Sequence, residues 1–422
     1  MAKLRIAAPA WSWRDGRGAL IRPLRLIALL AAVPFVLGAS GPTRGADGRG
    51  VLARLPAAAE QARAPAQAVR PAPPRPYEVA RPYVRVRNVG QLRAALARRA
   101  PTRILLRAGR YESDRPFLNA YGHALLAETV GKAVLTGGLS VGEEGGAPGG
   151  LVRGLVFDLR DPAATVDGIG IAVRNAGARL LDVALYGHGV VRSGIVVRQP
   201  EGFRAERLVV RDFTDYGVLV DMNDRSRTTL ARPFALRDLD VAGIRRAVPG
   251  SSRGRGEACI WIGNPGRVER ARVRRCAWTG LWTGTAATRA YVTQVDVDET
   301  RTGVYVEHFT HATTFDRIRI GRRVRVGLTA EWADPDWGGL PASVDNVVQN
   351  SRFESWLVGV YLDKGTTRTT VRWSTFVGQR WAAIGDYQGV GNAYYGNDYR
   401  RLAPGAAAVT HEHIRNAAGV GG

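Results

Sequence analysis

The stretch "GVYVEH", residues 303–308, places a glycine before a strict alternation, so that Val304 and Val306 fall on one side of an extended chain and Tyr305 and Glu307 on the other. The pattern recurs as "GIAVRN" from Gly170, "GIVVRQ" from Gly194, "GVLVDM" from Gly217 and "CIWIGN" from Cys259. It returns again as "GLWTGT" from Gly280, "GLTAEW" from Gly327, "GVYLDK" from Gly359 and "AAIGDY" from Ala382. Most steps are about 23 residues, and a fixed period in the range of 20 to 50 marks a solenoid. Each unit holds a second β-rich run, such as "RLVVRDFTDYG" or "QVDVDETRTG", joined by Gly, Asn and Asp rather than by amphipathic helices. Leucine-rich repeats lack their signature here, and propeller blades need about twice this period. The expected fold is therefore all-β, a right-handed parallel β-helix solenoid.

Two steps are long. The one after Gly217 contains "RDLDVAG" followed by "IRRAVPGSSRGRGEA", which reads as one coil with a loop inserted at about 245 to 257. The one after Gly327 contains "ADPDWGGLPASVD", an insertion at 333 to 345. Loops that leave coils on one rim are expected to wall a binding face. The open end of a solenoid needs a cover, and "NVGQLRAALARRA" supplies a short amphipathic capping helix with Val89, Leu92 and Leu96 on one side. This helix, then "ILLRAGRY" from Ile104, then "AVLTGG" from Ala133, then β coils, resembles the start of the pectate-lyase-like (pectin-lyase-fold) superfamily. The resemblance spans roughly residues 85 to 400 and implies the fold. It does not carry over an active site: "GHG" at Gly187–Gly189 and "RIR" at Arg317–Arg319 are the only polygalacturonase-like fragments, in the wrong order, and "WIGN" at Trp261–Asn264 stands where a pectate lyase shows Trp-Ile-Asp-His.

The remaining chain divides around this domain, 86–402. Residues 1–40 combine basic residues with the apolar run "LIALLAAVPFVLGAS", a signal peptide or an N-terminal anchor. Residues 41–85 form an Ala/Pro/Arg-rich tether and 403–422 a flexible Ala/Gly-rich tail, in which "HEH" at His411–His413 is exposed. This points to a secreted or cell-surface, extracytoplasmic protein, with the membrane touched only through an uncleaved N-terminal segment. The formal charge is +23, yet all but three of the 60 basic residues are arginine, a usage that fits a GC-rich genome as well as an anionic partner. No helix-turn-helix, zinc-finger or single-strand-binding signature supports nucleic acid. Cys259 and Cys276 lie on different strands, so two buried thiols are the expected state, with a bridge open to them after export.

Stacked coils lie ~4.8 Å apart, so equivalent positions form columns. Two residues after the glycine stand Trp261, Trp282, Tyr305 and Tyr361, with Leu219 and Thr329 as exceptions. Four after it stand Glu307, Glu331, Asp363 and Asp386, preceded by Arg174, Arg198, Asp221, Gly263 and Gly284. Aromatic side chains, with Trp332 and Tyr387 beside them, offer flat faces to pyranose rings, although stacking between coils explains them equally. Like carboxylates at ~5 Å repel and raise one another's pKa, which an array built for stability alone would avoid. Glu307 with Glu331, or with Asp363, has the approximate spacing of paired carboxyls in glycoside hydrolysis, about 5 Å for retention and roughly 6.5–9.5 Å for inversion. In uronate β-elimination the carboxylates would instead hold Ca²⁺, and Lys364 would remove the proton. His308 and His311 flank this face and form a weak metal signal. The sequence thus predicts a polysaccharide-binding face, with Glu307, Glu331, Asp363 and Lys364 as catalytic candidates in a hydrolase or lyase. The alternative is a non-catalytic surface or wall-binding solenoid.

Overall fold

A computed structural model describes residues 83–143, 149–220, 230–245, 258–284, 287–307, 310–330 and 342–413. All belong to one compact unit, Pro71–Gly422. The readings on the signal segment, most of the tether, the loop at 246–257, Glu331, Trp332 and His308 lie outside the described residues. The domain is a right-handed parallel β-solenoid of about 12 turns; among the described residues 53% lie in strands and one segment is an α-helix.

Each coil has three short strands, here called faces A, B and C. In one coil these are Ser193–Val197, the start of Arg204–Arg211, and its end. The corners are cut by residues in the left-handed region five positions apart: Gly202, Arg207 and Asp212 in this coil, Arg289, Gln294 and Glu299 in a later one. A single left-handed residue redirects an extended chain without a loop, so a coil closes in little more than twenty residues. Face A is in continuous parallel register from Ile171 through Ile195, Val218, Ile260, Leu281, Val304, Leu328, Val360 and Ile384. Val218 pairs directly with Ile260 and Leu328 with Val360, so both long steps are single coils carrying insertions, as the sequence indicates.

The interior is filled by stacked columns of side chains from all three faces. Val304 and Val306 belong to the main core, as the alternation in "GVYVEH" requires. Toward the C-terminal end aromatic rings stack inside it, Phe353 on Phe376 at 5.2 Å and Phe376 on Tyr399 at 5.6 Å. The repeated glycine marks where adjacent coils come too close for a side chain. A Cβ at Gly303 would lie 2.4 Å from the Gly327 carbonyl oxygen, and one at Gly327 2.2 Å from that of Gly359. Polar ladders hold the corner between faces A and B: Asn346 accepts from the Thr313 amide at 3.0 Å and donates to the Thr310 carbonyl at 3.0 Å.

The capping helix runs Val89–Leu96, with the Asn88 side chain accepting from the Gln91 amide and Leu92, Ala95 and Leu96 buried. The first strand, Val84–Val86, begins inside the stretch read as tether and pairs with Arg103–Leu106. At the other end Ala407–Thr410, read as flexible tail, is a strand in register with Ala382–Asp386. The thiol reading is corrected as well: Cys259 and Cys276 form a disulfide with Cα atoms 5.7 Å apart. Cys259 occupies the inward glycine position of face A, and Cys276 sits at the inward corner through which the same coil returns to face A. Separation onto different strands therefore brings the two sulfurs together instead of keeping them apart.

Candidate functional site

The outer side of face A gathers the aromatic residues. Tyr216 stacks on Trp261 at 5.4 Å, Trp261 approaches Trp282 at 5.6 Å, and Trp282 meets Tyr305 edge-on at 4.9 Å. Trp278 closes the group, 5.1 Å from Trp282 and 5.4 Å from Tyr305. The column thus exists on the outer side, but it is not an open platform. Tyr305 is 2% exposed and Tyr361 fully buried, the latter packed with Val326, Val358 and Ala382 in a cluster separate from the interior, beneath Trp381 and Tyr387. Large rings ~4.8 Å apart cover one another. Trp261, Trp282 and Tyr387 keep partial exposure, and the two tyrosines form the floor.

Glu307 lies half-buried beside these rings, accepting a hydrogen bond from the Trp282 indole at 3.2 Å, while its own amide donates to the Thr283 carbonyl. The glycine that precedes it in its column, Gly284, has a steric reason: a Cβ there would come 2.4 Å from Nε1 of Trp261, whose indole lies over that position. The Trp261 N–H is buried with no hydrogen-bond partner among the described residues. Asp363 follows in the same column with its amide on the Ala330 carbonyl, and its Oδ1 accepts from the Lys364 amide at 2.8 Å. This bond fixes the turn, and Lys364 is exposed.

Asp386 does not belong to the acidic column. Leu362 pairs with Asp386, so Tyr387 is the equivalent of Asp363 and Asp386 faces inward with Leu362. "AAIGDY" starts one position earlier in its coil than "GVYLDK", and a shift of one residue moves a side chain to the other side of the sheet. There Asp386 accepts from the Tyr394 hydroxyl and, at 3.1 Å, from Asn392. Burial and this carboxylate push the Tyr394 phenol well above its ordinary value. His311 sits half-buried at the corner after face A, its pKa lowered by burial. His411 and His413 are exposed but anchored, Nδ1 of His411 lying 3.0 Å from the Asp386 carbonyl oxygen and the His413 ring 4.5 Å from Tyr387. Among the described residues no three His, Cys, Asp or Glu side chains gather as a metal site.

Three residues of this region escape a reading that counts only positions after the glycine. Tyr216 and Trp278 precede it in their coils, yet their rings complete the cluster. Asp215, next to Tyr216, has its pKa raised by burial, offset in part by the Thr214 hydroxyl at 3.2 Å and by Arg192. The signal was the "TDYG" that ends "RLVVRDFTDYG".

No protein-family model and no curated protein matches the chain. Solved structures of β-helix proteins resemble it. The PL6 family alginate lyase AlyGC aligns with a TM-score of 0.49 at 15% identity, over 79% of this chain and 52% of that one, so the chain spans about half of that enzyme's length. A mannuronic acid specific polysaccharide family 6 lyase from human gut microbiota aligns with a TM-score of 0.49 at 11% identity, over 76% and 83%. PfbA, a surface adhesin of Streptococcus pneumoniae, aligns with 0.47 at 10%, over 74% and 88%. An enzyme pair and an adhesin on similar scaffolds leave the function to be argued from the site.

Proposed function

We propose that this is an extracytoplasmic glycan-acting β-helix protein, that the outer side of face A binds a polysaccharide, and that Glu307 is its acid–base group. The observation that supports this reading is a half-buried carboxylate set among aromatic rings and oriented by the Trp282 indole. Indole rings stack on the apolar faces of pyranoses, and a carboxylate held in place can exchange a proton with a glycosidic oxygen or a ring carbon. The disulfide fits an oxidising compartment and so supports export. Glu331 and Asp363 are the proposed partners of Glu307. If the reaction is an elimination, Lys364 is the proposed base and Ca²⁺ the cofactor.

The test is product release from neutral and uronic-acid polysaccharides, with and without Ca²⁺, scored for new reducing ends and for the ultraviolet absorbance of an unsaturated product. Reducing ends alone mean hydrolysis, and both together mean elimination. Either must vanish in Glu307→Gln. One observation favours a second reading, a non-catalytic surface solenoid: the complete burial of Tyr361 shows that part of the aromatic column serves packing. Retained glycan binding without product across the panel would establish it.

A further inference from the structure

The corner between faces B and C turns away from face A and carries one left-handed residue per coil. From Asp182 through Arg207, Asp238, Arg270, Gln294 and Arg317 to Asn350 these are all polar. In the next coil the position is Trp373, with φ at 51°. A bulky aromatic is a poor occupant of this backbone region, where Gly, Asn and Asp are at ease. An outlier of this kind persists where something other than stability retains it.

Its surroundings are built to present the ring. Trp373 is 52% exposed, the most exposed aromatic side chain among the described residues. The Arg372 guanidinium lies over the indole, 4.2 Å from the ring. Arg372 is itself fixed, donating to Oε1 of Gln349 at 2.7 and 3.0 Å and to the Tyr395 hydroxyl at 3.0 Å. Tyr395, 46% exposed, stands edge-on to the indole at 6.2 Å, and no acceptor for its own hydroxyl hydrogen is found among the described residues. The following coil makes room: a Cβ at Gly396 would lie 2.6 Å from Cδ1 of Trp373.

We propose that Trp373, Arg372 and Tyr395 form a second sugar-binding site, separate from face A, which takes one pyranose unit of an acidic polysaccharide. The sugar stacks on the indole, the Tyr395 hydroxyl donates to a ring substituent, and the remaining N–H groups of Arg372 meet the uronate carboxylate. A protein with a formal charge of +23 favours the acidic polymer over a neutral one. The inference rests on the reading of the protein as glycan-acting, and it adds a holding site that lets the chain stay on a polymer while face A works on it.

The test is affinity electrophoresis of the full chain in gels containing alginate, polygalacturonate or a neutral α-glucan, with melting curves recorded in the absence of glycan. Trp373→Asn is compared with the parent and with Trp282→Ala. Asn suits the left-handed corner, so the variant should fold and melt no lower than the parent, while its retardation by the acidic polymers weakens roughly tenfold. A lower melting temperature with unchanged retardation would make the corner structural and overturn the proposal. Loss of binding in Trp282→Ala but not in Trp373→Asn would remove this site and leave the face A reading standing. A parent that none of the three polymers retards would end both, and an equal loss on the neutral glucan would overturn the assignment to acidic sugars.

Discussion

Replacing Cys259 and Cys276 together by alanine opens the coil that carries Trp261 and leads into Trp282. The bridge joins residues 17 apart, inside the solenoid. Closing a loop of that size removes denatured-state entropy equivalent to about 3 kcal/mol at 25 °C. With an unfolding entropy of about 2 cal/mol/K per residue, that loss over a domain of roughly 330 residues lowers Tm by about 4–5 °C. The assay is calorimetric melting of parent and variant, paired with thiol titration of the parent in denaturant without reductant. The expected result is a Tm drop of that size and no titratable thiol. Two titratable thiols, or a drop below about 1 °C, would refute the reasoning, since either would mean that the coil is closed by packing and not by the bond.

Gly327→Ala forces a Cβ against the Gly359 carbonyl oxygen and should cost at least about 1–3 kcal/mol in denaturant unfolding, whereas Gly90→Ala, with 3.5 Å to its nearest neighbour, should gain about 0.5–1 kcal/mol of helix stability. His123 is fully buried, accepting from the Thr102 amide at 3.0 Å and lying 3.1 Å from the Leu96 carbonyl, and burial lowers its pKa. The unfolded chain therefore binds the proton more readily, so its contribution is complete above the unfolded pKa of about 6.5 and is lost as pH falls below it. Melting curves from neutral to mildly acidic pH should show this loss in the parent and a flatter profile in His123→Gln. Trp282→Phe keeps a ring but removes the donor to Glu307; the carboxylate loses about 1 kcal/mol of stabilisation, so the acid limb of any glycan-cleaving pH–rate profile should move upward by somewhat less than one pH unit. An unmoved limb would take Glu307 out of the proposed chemistry.

The alternation in "GVYVEH" and its recurrence sufficed for the solenoid, because a period-two pattern repeated about every 23 residues has one economical way to bury its aliphatic side. The same reasoning located the capping helix from the spacing of Val89, Leu92 and Leu96, and assigned Val304 and Val306 to the interior. Outward direction, however, is not exposure. Tyr305 and Tyr361 point away from the core as their positions demand, yet rings from neighbouring coils and corners bury them, and those contacts join residues more than twenty positions apart. Register was legible only where the repeats align without slippage. At Ala382 a single-residue offset turned Asp386 from an outer carboxylate into an inner one, and only hydrogen bonding between coils could reveal it. The disulfide, the unpaired Trp261 N–H and the strained Trp373 corner depend in the same way on where a coil closes. A chain's local pattern determines which side of a strand a residue takes, while its neighbours in space are set by the stacking of whole coils.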